Sequence, residues 1–173
     1  MTLNGLDVEV FFSNSNITPL EEYDKRKAEL IRYCDSLGVP YAEDEYDHRQ
    51  WLEKVAKGRE KAPERGERCL ECFRFRLERA AEYAIRHNCS VLTTSLASSR
   101  WKDLEQVDSA GNYAVRQAND AMTPQIPLIW WEVNWRKNGL QPRRGELIKE
   151  LGFYNQTFCG CEFSRAYTDN KHQ

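Results

Sequence analysis

The chain has no apolar run approaching the length of a membrane span, nothing near Met1 that resembles a secretory signal, and no glycine-rich phosphate loop. These absences weigh against a membrane protein, an exported protein, and a kinase or dinucleotide enzyme. Internal repeats and low-complexity tracts are also missing. Histidine is scarce: His48, His87 and His172 stand alone without ligand spacing, so none is assigned a role. A formal charge of −2 argues against a constitutively sticky nucleic-acid binder. The expected location is the cytoplasm, with no membrane partner, and there paired cysteines are more often metal-binding or catalytic than bracing.

What is present in quantity is core-forming residue and thiol. At 173 residues and 40% hydrophobic, the chain can build one core without disulfide staples. The expectation is a single α/β domain over 1–165 with a polar tail over 166–173. Four of the six cysteines form two tight pairs, Cys69-Leu70-Glu71-Cys72 and Cys159-Gly160-Cys161. Thiols that close bound the chemistry to soft-metal binding or two-electron redox. Arg65, Arg68, Arg74, Arg76 and Arg79 gather around the first pair, and Arg143 and Arg144 precede the second. Together they would draw an anionic substrate; singly, each reads more simply as solvating a helix face beside Glu71, Glu78 or Glu82.

Hydrophobic periodicity alternates between strand and helix. Leu6–Phe12 reads as a strand running into a polar turn, Ser13–Asn16. A helix follows to Leu37, capped by Thr18 with Pro19 at its first position and Glu21 completing a capping box, and stopped by Gly38. Its inner stripe is Leu20, Tyr23, Leu30, Ile31, Cys34 and Leu37. A short strand over Val39–Ala42 precedes a helix opened by Asp47 that turns Trp51, Leu52 and Val55 inward. The charged stretch Gly58–Arg68 reads as a mobile surface loop, and a helix over Cys69–His87 follows. Cys89–Ser95 reads as a buried strand, Ser98 or Ser99 opens a helix through Ala118, and Ile126–Trp131 is a strand. A last helix, Arg144–Leu151, leads to the aromatic loop Phe153–Phe158 and the second thiol pair. This alternation predicts a three-layer α/β domain around a mostly parallel sheet, with ligands gathering at the strands' carboxyl ends.

Cys69 and Cys72 fall at i and i+3 in the first turn of a predicted helix, where the dipole and Arg65 and Arg68 favour thiolates and metal ligation. The plainer alternative is that they continue the apolar stripe of Phe73, Leu77, Ala80 and Ala84. Cys159 and Cys161 can close only a small, strained, easily reduced disulfide, suited to redox cycling, with Gly160 supplying backbone freedom. A tetrahedral zinc site using all four thiols is the competing reading. Cys34 and Cys89 read as small buried hydrophobes. Trp130, Trp131 and Trp135 read as core or strand edge; Tyr154 and Phe158 could stack on a splayed base, with packing the default.

Several segments resemble the QueH-type epoxyqueuosine reductases. These are Val10-Phe11-Phe12-Ser13-Asn14-Ser15-Asn16-Ile17 with Pro19-Leu20-Glu21-Glu22-Tyr23-Asp24-Lys25-Arg26, and Gly66-Glu67-Arg68-Cys69-Leu70-Glu71-Cys72 with Arg76 and Leu77. Leu92-Thr93-Thr94-Ser95-Leu96 and Tyr154-Asn155-Gln156-Thr157-Phe158-Cys159-Gly160-Cys161 complete the set, in the family's order across most of the chain. The resemblance implies a Rossmann-like α/β fold and the last step of queuosine synthesis, loss of the epoxide oxygen of epoxyqueuosine at the wobble position of tRNA. It further implies a 4Fe-4S cluster, with an additional iron as an option, held in part by Cys69 and Cys72. Cys159 and Cys161 would be the redox-active, catalytic pair. Partners would be the tRNA anticodon loop and an electron donor that the sequence does not identify. The reading from another class is a non-enzymatic, zinc-stabilised module binding RNA or protein.

The sequence departs from that pattern in one respect. The family begins with a strand ending in a double cysteine, with another cysteine just after it, whereas here no cysteine precedes Cys34. The expectation is therefore a Rossmann-like sheet with its first strand missing and an open seam, from an N-terminally incomplete chain or a misplaced start codon. A divergent paralogue that lost its cluster is the second explanation.

Overall fold

Two long helices carry the centre of the molecule. α3 (Glu67–Arg86) and α4 (Leu104–Met122) pack along their apolar stripes, burying Phe73, Leu77, Ala81 and Ala84 of one against Val107, Ala110, Ala114 and Ala118 of the other. The three- and four-residue spacing puts each set on one face, and the small alanines let the helices approach closely. The structure is a computed structural model that describes residues 2–3, 5–154 and 156–164. The predicted tail over 166–173 lies outside the described residues.

The strands are shorter than the periodicity predicts. β1 (Thr2–Leu3) pairs antiparallel with β2 (Leu6–Asp7). β3 (Val10–Phe12) pairs in parallel with β4 (Tyr41–Glu43), and β5 (Val91–Leu92) in parallel with β6 (Ile129–Trp130). Helices alternate with these parallel pairs, so the class is mixed α/β. Among the described residues the two parallel pairs are not hydrogen-bonded to one another. The buried strand expected over Cys89–Ser95 is corrected: only Val91–Leu92 is a strand, and Val91 is 46% exposed, because helices cover just one face of this ladder. Cys89 is accordingly only partly buried, whereas Cys34 is buried as expected.

α1 (Leu20–Leu37) ends as predicted at Gly38, whose φ of 62° lets its N–H reach Asp35 O and Cys34 O. Its start differs. Pro19 is the cap residue and no side chain caps the helix. Thr18 instead donates its N–H to Gly160 O at 2.9 Å, so a tertiary contact displaces the local capping box. Leu20 is 51% exposed, and the stripe buries Tyr23, Cys34 and, against expectation, Arg26. α2 (His48–Trp51) is capped as predicted, Asp47 Oδ1 accepting from Gln50 N at 2.8 Å, and continues as a π-helical turn over Leu52–Ala56. α4 opens at Asp103 rather than Ser98 or Ser99; Ser95–Ser98 is a separate 3₁₀ turn capped by Thr94. α5 (Leu140–Glu150) buries no residue. Among the described residues no helix is long and apolar enough to cross a membrane.

Candidate active site

The charged stretch before α3 is ordered by one guanidinium. Arg68 Nη1 donates to Arg59 O, Glu60 O and Ala62 O at 2.8, 3.0 and 2.7 Å, gathering the turns of the expected mobile loop around a buried cation. Phe163 lies over that guanidinium, 4.4 Å from its ring centroid. This fixes the entry to α3 and so the positions of Cys69 and Cys72. Cys69 accepts from Arg65 N at 3.3 Å, and Cys72 from Trp51 Nε1 at 3.4 Å.

The second pair is brought to the same place by α1. Arg26, 8% exposed, donates to Phe158 O at 3.1 Å, to Cys159 O at 3.0 Å and to Gln156 Oε1 at 3.0 Å, and pairs with Glu22 at 2.7 Å. Gly160 adopts a φ of 108°, and a Cβ there would stand 2.9 Å from Ile17 Cγ1 and 3.1 Å from Arg26 Nη1. Cys159 N donates to Ser164 Oγ, which closes the loop on itself. Cys161 then packs in one buried cluster with Cys72, Trp51, Val55 and Phe75.

All four thiols thus meet, yet they are chemically unequal. Burial pushes Cys69 up, and pushes Cys72 from 9.0 up to about 11, outweighing Arg76 and the Trp51 hydrogen bond. The sequence-based expectation of depressed values at this helix start is therefore corrected: desolvation outweighs the neighbouring cations and hydrogen bonds. Cys159 goes the other way. A hydrogen bond from the Cys161 thiol, then the charge and hydrogen bond of Lys102 and the charge of Arg76, overcome burial and hold it well below its ordinary value. Cys161 is raised, chiefly because its proton is held against Cys159 and then by burial. Of the two, Cys159 is therefore the more acidic, and none of the six cysteines is in a disulfide.

Lys102 was not foreseen. Its Nζ lies 2.7 Å from Cys159 Sγ, and it shares a cleft with Cys69, Phe73 and Trp101. A lone lysine between Trp101 and Asp103 carries no local signal; only the packing of α4 beside α3 brings it there. Arg26 was equally invisible, since an arginine on a helix reads as solvated. His48, given no role, lies between Ser15 O (2.8 Å from Nδ1) and Glu162 (3.4 Å from Nε2), stacked near Trp51.

Of the arginines expected to hold an anionic substrate, all but Arg144 are engaged internally. Arg65 donates to Trp101 O and Arg100 O, Arg74 pairs with Glu71, and Arg79 pairs with Asp44. Arg76 donates to Ser13 O at 2.7 Å and Asn14 Oδ1 at 2.5 Å, tying α3 to the polar segment after β3. Arg143 faces Glu146 and Glu150. Tyr154 donates to Glu22 beneath Lys25, and Phe158 lies under Arg26, so both aromatics pack on α1. Trp130 is core, whereas Trp131 is 44% exposed. A cleft of about 300 Å³ does open where β3 and β4 end, lined by Phe11, Asp44, Arg79 and Tyr83, but the thiols do not line it.

Cys69 and Cys72 fit a soft metal in donor type. Their protons are retained through burial, and a bound cation would displace them. Among the described residues no three His, Cys, Asp or Glu side chains are arranged as a ready-made metal site.

Fold and site together define an α/β protein built around two cysteine pairs that meet beside a lysine. The family model "Epoxyqueuosine reductase QueH" matches residues 1–167, and the chain belongs to that family. It is 42% identical over 161 residues to the epoxyqueuosine reductase QueH of Haemophilus influenzae, covering 93% of this chain and 62% of that protein. It is 41% identical to the one of Histophilus somni, covering 96% and 65%, and 42% identical to the one of Acinetobacter baylyi, covering 96% and 72%. The chain therefore spans just under two thirds of the length of the first two relatives.

Proposed function

We propose that this chain carries the redox centre of an epoxyqueuosine reductase, an enzyme that removes the epoxide oxygen of epoxyqueuosine to give queuosine at the wobble position of tRNA. The observation that carries the reading is the meeting of the two cysteine pairs, with Cys161 packed against Cys72 and Lys102 Nζ 2.7 Å from Cys159 Sγ. Deoxygenation consumes two electrons and releases water, and a dithiol that becomes a disulfide delivers two electrons. In this reading Cys159 and Cys161 are the catalytic pair, and Cys69 and Cys72 contribute two thiolate ligands to a 4Fe-4S cluster, with an additional iron as an option. The cluster would supply low-potential single electrons when bound. This chain's own residues do the positioning: Arg26 and Gly160 seat the thiol loop, while Arg68 orders the entry to α3. The partners are a tRNA anticodon loop and an electron donor of unknown identity, and the location the cytoplasm. We assign residues 1–165 to one Rossmann-like, three-layer domain in which the two parallel pairs belong to one layer.

Membership of the reductase family supports this reading over a zinc-stabilised binding module. The test is anaerobic reconstitution with iron and sulfide, followed by incubation with epoxyqueuosine-containing tRNA and nucleoside analysis. Broad visible absorbance and conversion to queuosine are expected. The Cys159→Ser variant should lose turnover by at least 10³-fold while keeping the cluster absorbance, as expected for removal of an essential nucleophile. One zinc, no iron and no conversion would overturn the reading; loss of metal in Cys159→Ser would overturn the division between ligands and redox pair.

A further inference from the structure

An enzyme that reduces one base of an RNA must hold that base beside its reducing groups, and flat side chains do this by stacking on it. Tyr154 and Phe158 are already packed on α1. The loop between β5 and α4 offers a different ring. Trp101 lines the cleft that Cys69 and Lys102 share, yet it is 64% exposed. It directly precedes Lys102, whose Nζ lies 2.7 Å from Cys159 Sγ, so its backbone is tied to the thiol site.

That loop is fixed by donors that grip its carbonyl groups. Arg65, just before α3, reaches Arg100 O and Trp101 O, both at 3.1 Å. Arg136, after β6, reaches Ala97 O at 3.2 Å and Lys102 O at 2.9 Å, and Gln141 on α5 reaches Ser98 O at 2.8 Å. None of these bonds uses the indole, which is left outward on a held backbone. A platform ordered before its ligand arrives gives up little conformational freedom on binding. Arg100 lies beside it, exposed, its guanidinium carbon 5.3 Å from the indole centroid and without an ion pair among the described residues. A free cation next to an exposed ring is the combination that takes up a nucleotide, phosphate on one group and base on the other.

We infer that Trp101 is the platform on which the wobble base stacks, with Arg100 against the phosphate of the same nucleotide. That the RNA is a tRNA rests on the function proposed above. Epoxyqueuosine carries its epoxide on a five-membered ring that a short arm joins to a flat deazapurine. Stacking takes up the flat part and leaves the epoxide ring to the cleft of Cys69 and Lys102. Every base has a π face, so Trp101 holds the base without choosing it.

The test uses the full-length protein after anaerobic reconstitution and two synthetic anticodon hairpins, one with guanine and one with an abasic site at the wobble position. The guanine hairpin should bind more tightly by about 5- to 150-fold, the range that one base stacked on an aromatic ring supplies. Trp101→Leu keeps apolar bulk without a π face and should bind the guanine hairpin only as weakly as the abasic one. Trp101→Phe should restore most of the difference. Because Trp101 is largely exposed, both variants should keep the urea midpoint of the unsubstituted protein. Arg100→Ala should weaken both hairpins alike and lower the salt dependence of binding by about one phosphate contact. Equal binding of the two hairpins, no binding of either, or a difference that persists in Trp101→Leu overturns the platform. An unchanged salt dependence in Arg100→Ala overturns the phosphate contact. A difference that vanishes in Trp101→Leu supports the platform even where epoxyqueuosine tRNA is not reduced, a failure that counts against the proposed function alone. Reduction of that tRNA by a protein that binds both hairpins equally sinks the platform and leaves the proposed function standing.

Discussion

Gly160 shows how one residue without a side chain holds the reactive loop in place. Its φ of 108° is a backbone state that side-chain-bearing residues rarely adopt, and the space a Cβ would need is already filled by Ile17 and Arg26. Gly160→Ala should therefore destabilise the protein by about 2 kcal/mol or more. Urea unfolding measures this, and unchanged stability would show that the loop can sit elsewhere. The same residues mark the limit of sequence reading at this scale. The spacing of Cys159 and Cys161 displays their redox aptitude, and Gly160 displays its freedom. Arg26 and Lys102 look like ordinary surface cations, and their roles arise from partners 133 and 57 residues away in sequence. No local pattern encodes such distant pairings.

Among the elements, the apolar stripe of α3 was legible at Phe73, Leu77 and Ala84 from helical periodicity, and the structure buries these against α4, with Ala81 rather than Ala80 completing the face. Helix starts were less legible. Asp47 caps α2 as predicted, but the Thr18 cap gives way to a tertiary hydrogen bond, and Asp103 outcompetes Ser98 and Ser99. Strands were the least legible, since their extent depends on pairing partners rather than on their own residues. The junction of α4 with β6 gives a test of what decides. By helix propensity, Gly111→Ala should stabilise α4 by about 1 kcal/mol. A Cβ at that position, however, would lie 2.2 Å from Trp130 Cε2, and a flat indole in the core has no room to withdraw. Overpacking should win, with a net loss of about 2 kcal/mol or more in chemical denaturation. A gain in stability would mean that Trp130 is not held against Gly111.

For the whole molecule, the burial of the thiols links folding to pH. In chelator-treated protein Cys72 is raised from 9.0 to about 11, so its contribution to stability is fully present below pH 9. It is lost as pH rises toward 11, because the unfolded chain gives up that proton first; the loss amounts to about 3 kcal/mol. Cys159 has the opposite sign: its depressed value adds stability above pH 9 that fades as pH falls. Unfolding free energies between pH 8 and 11 should therefore fall less steeply in Cys72→Ala than in the unsubstituted protein, and parallel curves would contradict the assignment of Cys72 as a buried thiol. By itself the amino-acid sequence determined the α/β class, the main helical stripes and the two thiol pairs, because periodicity and spacing are local properties. Tertiary structure alone decided which thiol is the most acidic. Ionisation depends on desolvation and on charges within a few ångströms, and Lys102, Arg76 and Cys161 reach Cys159 only after the chain has folded.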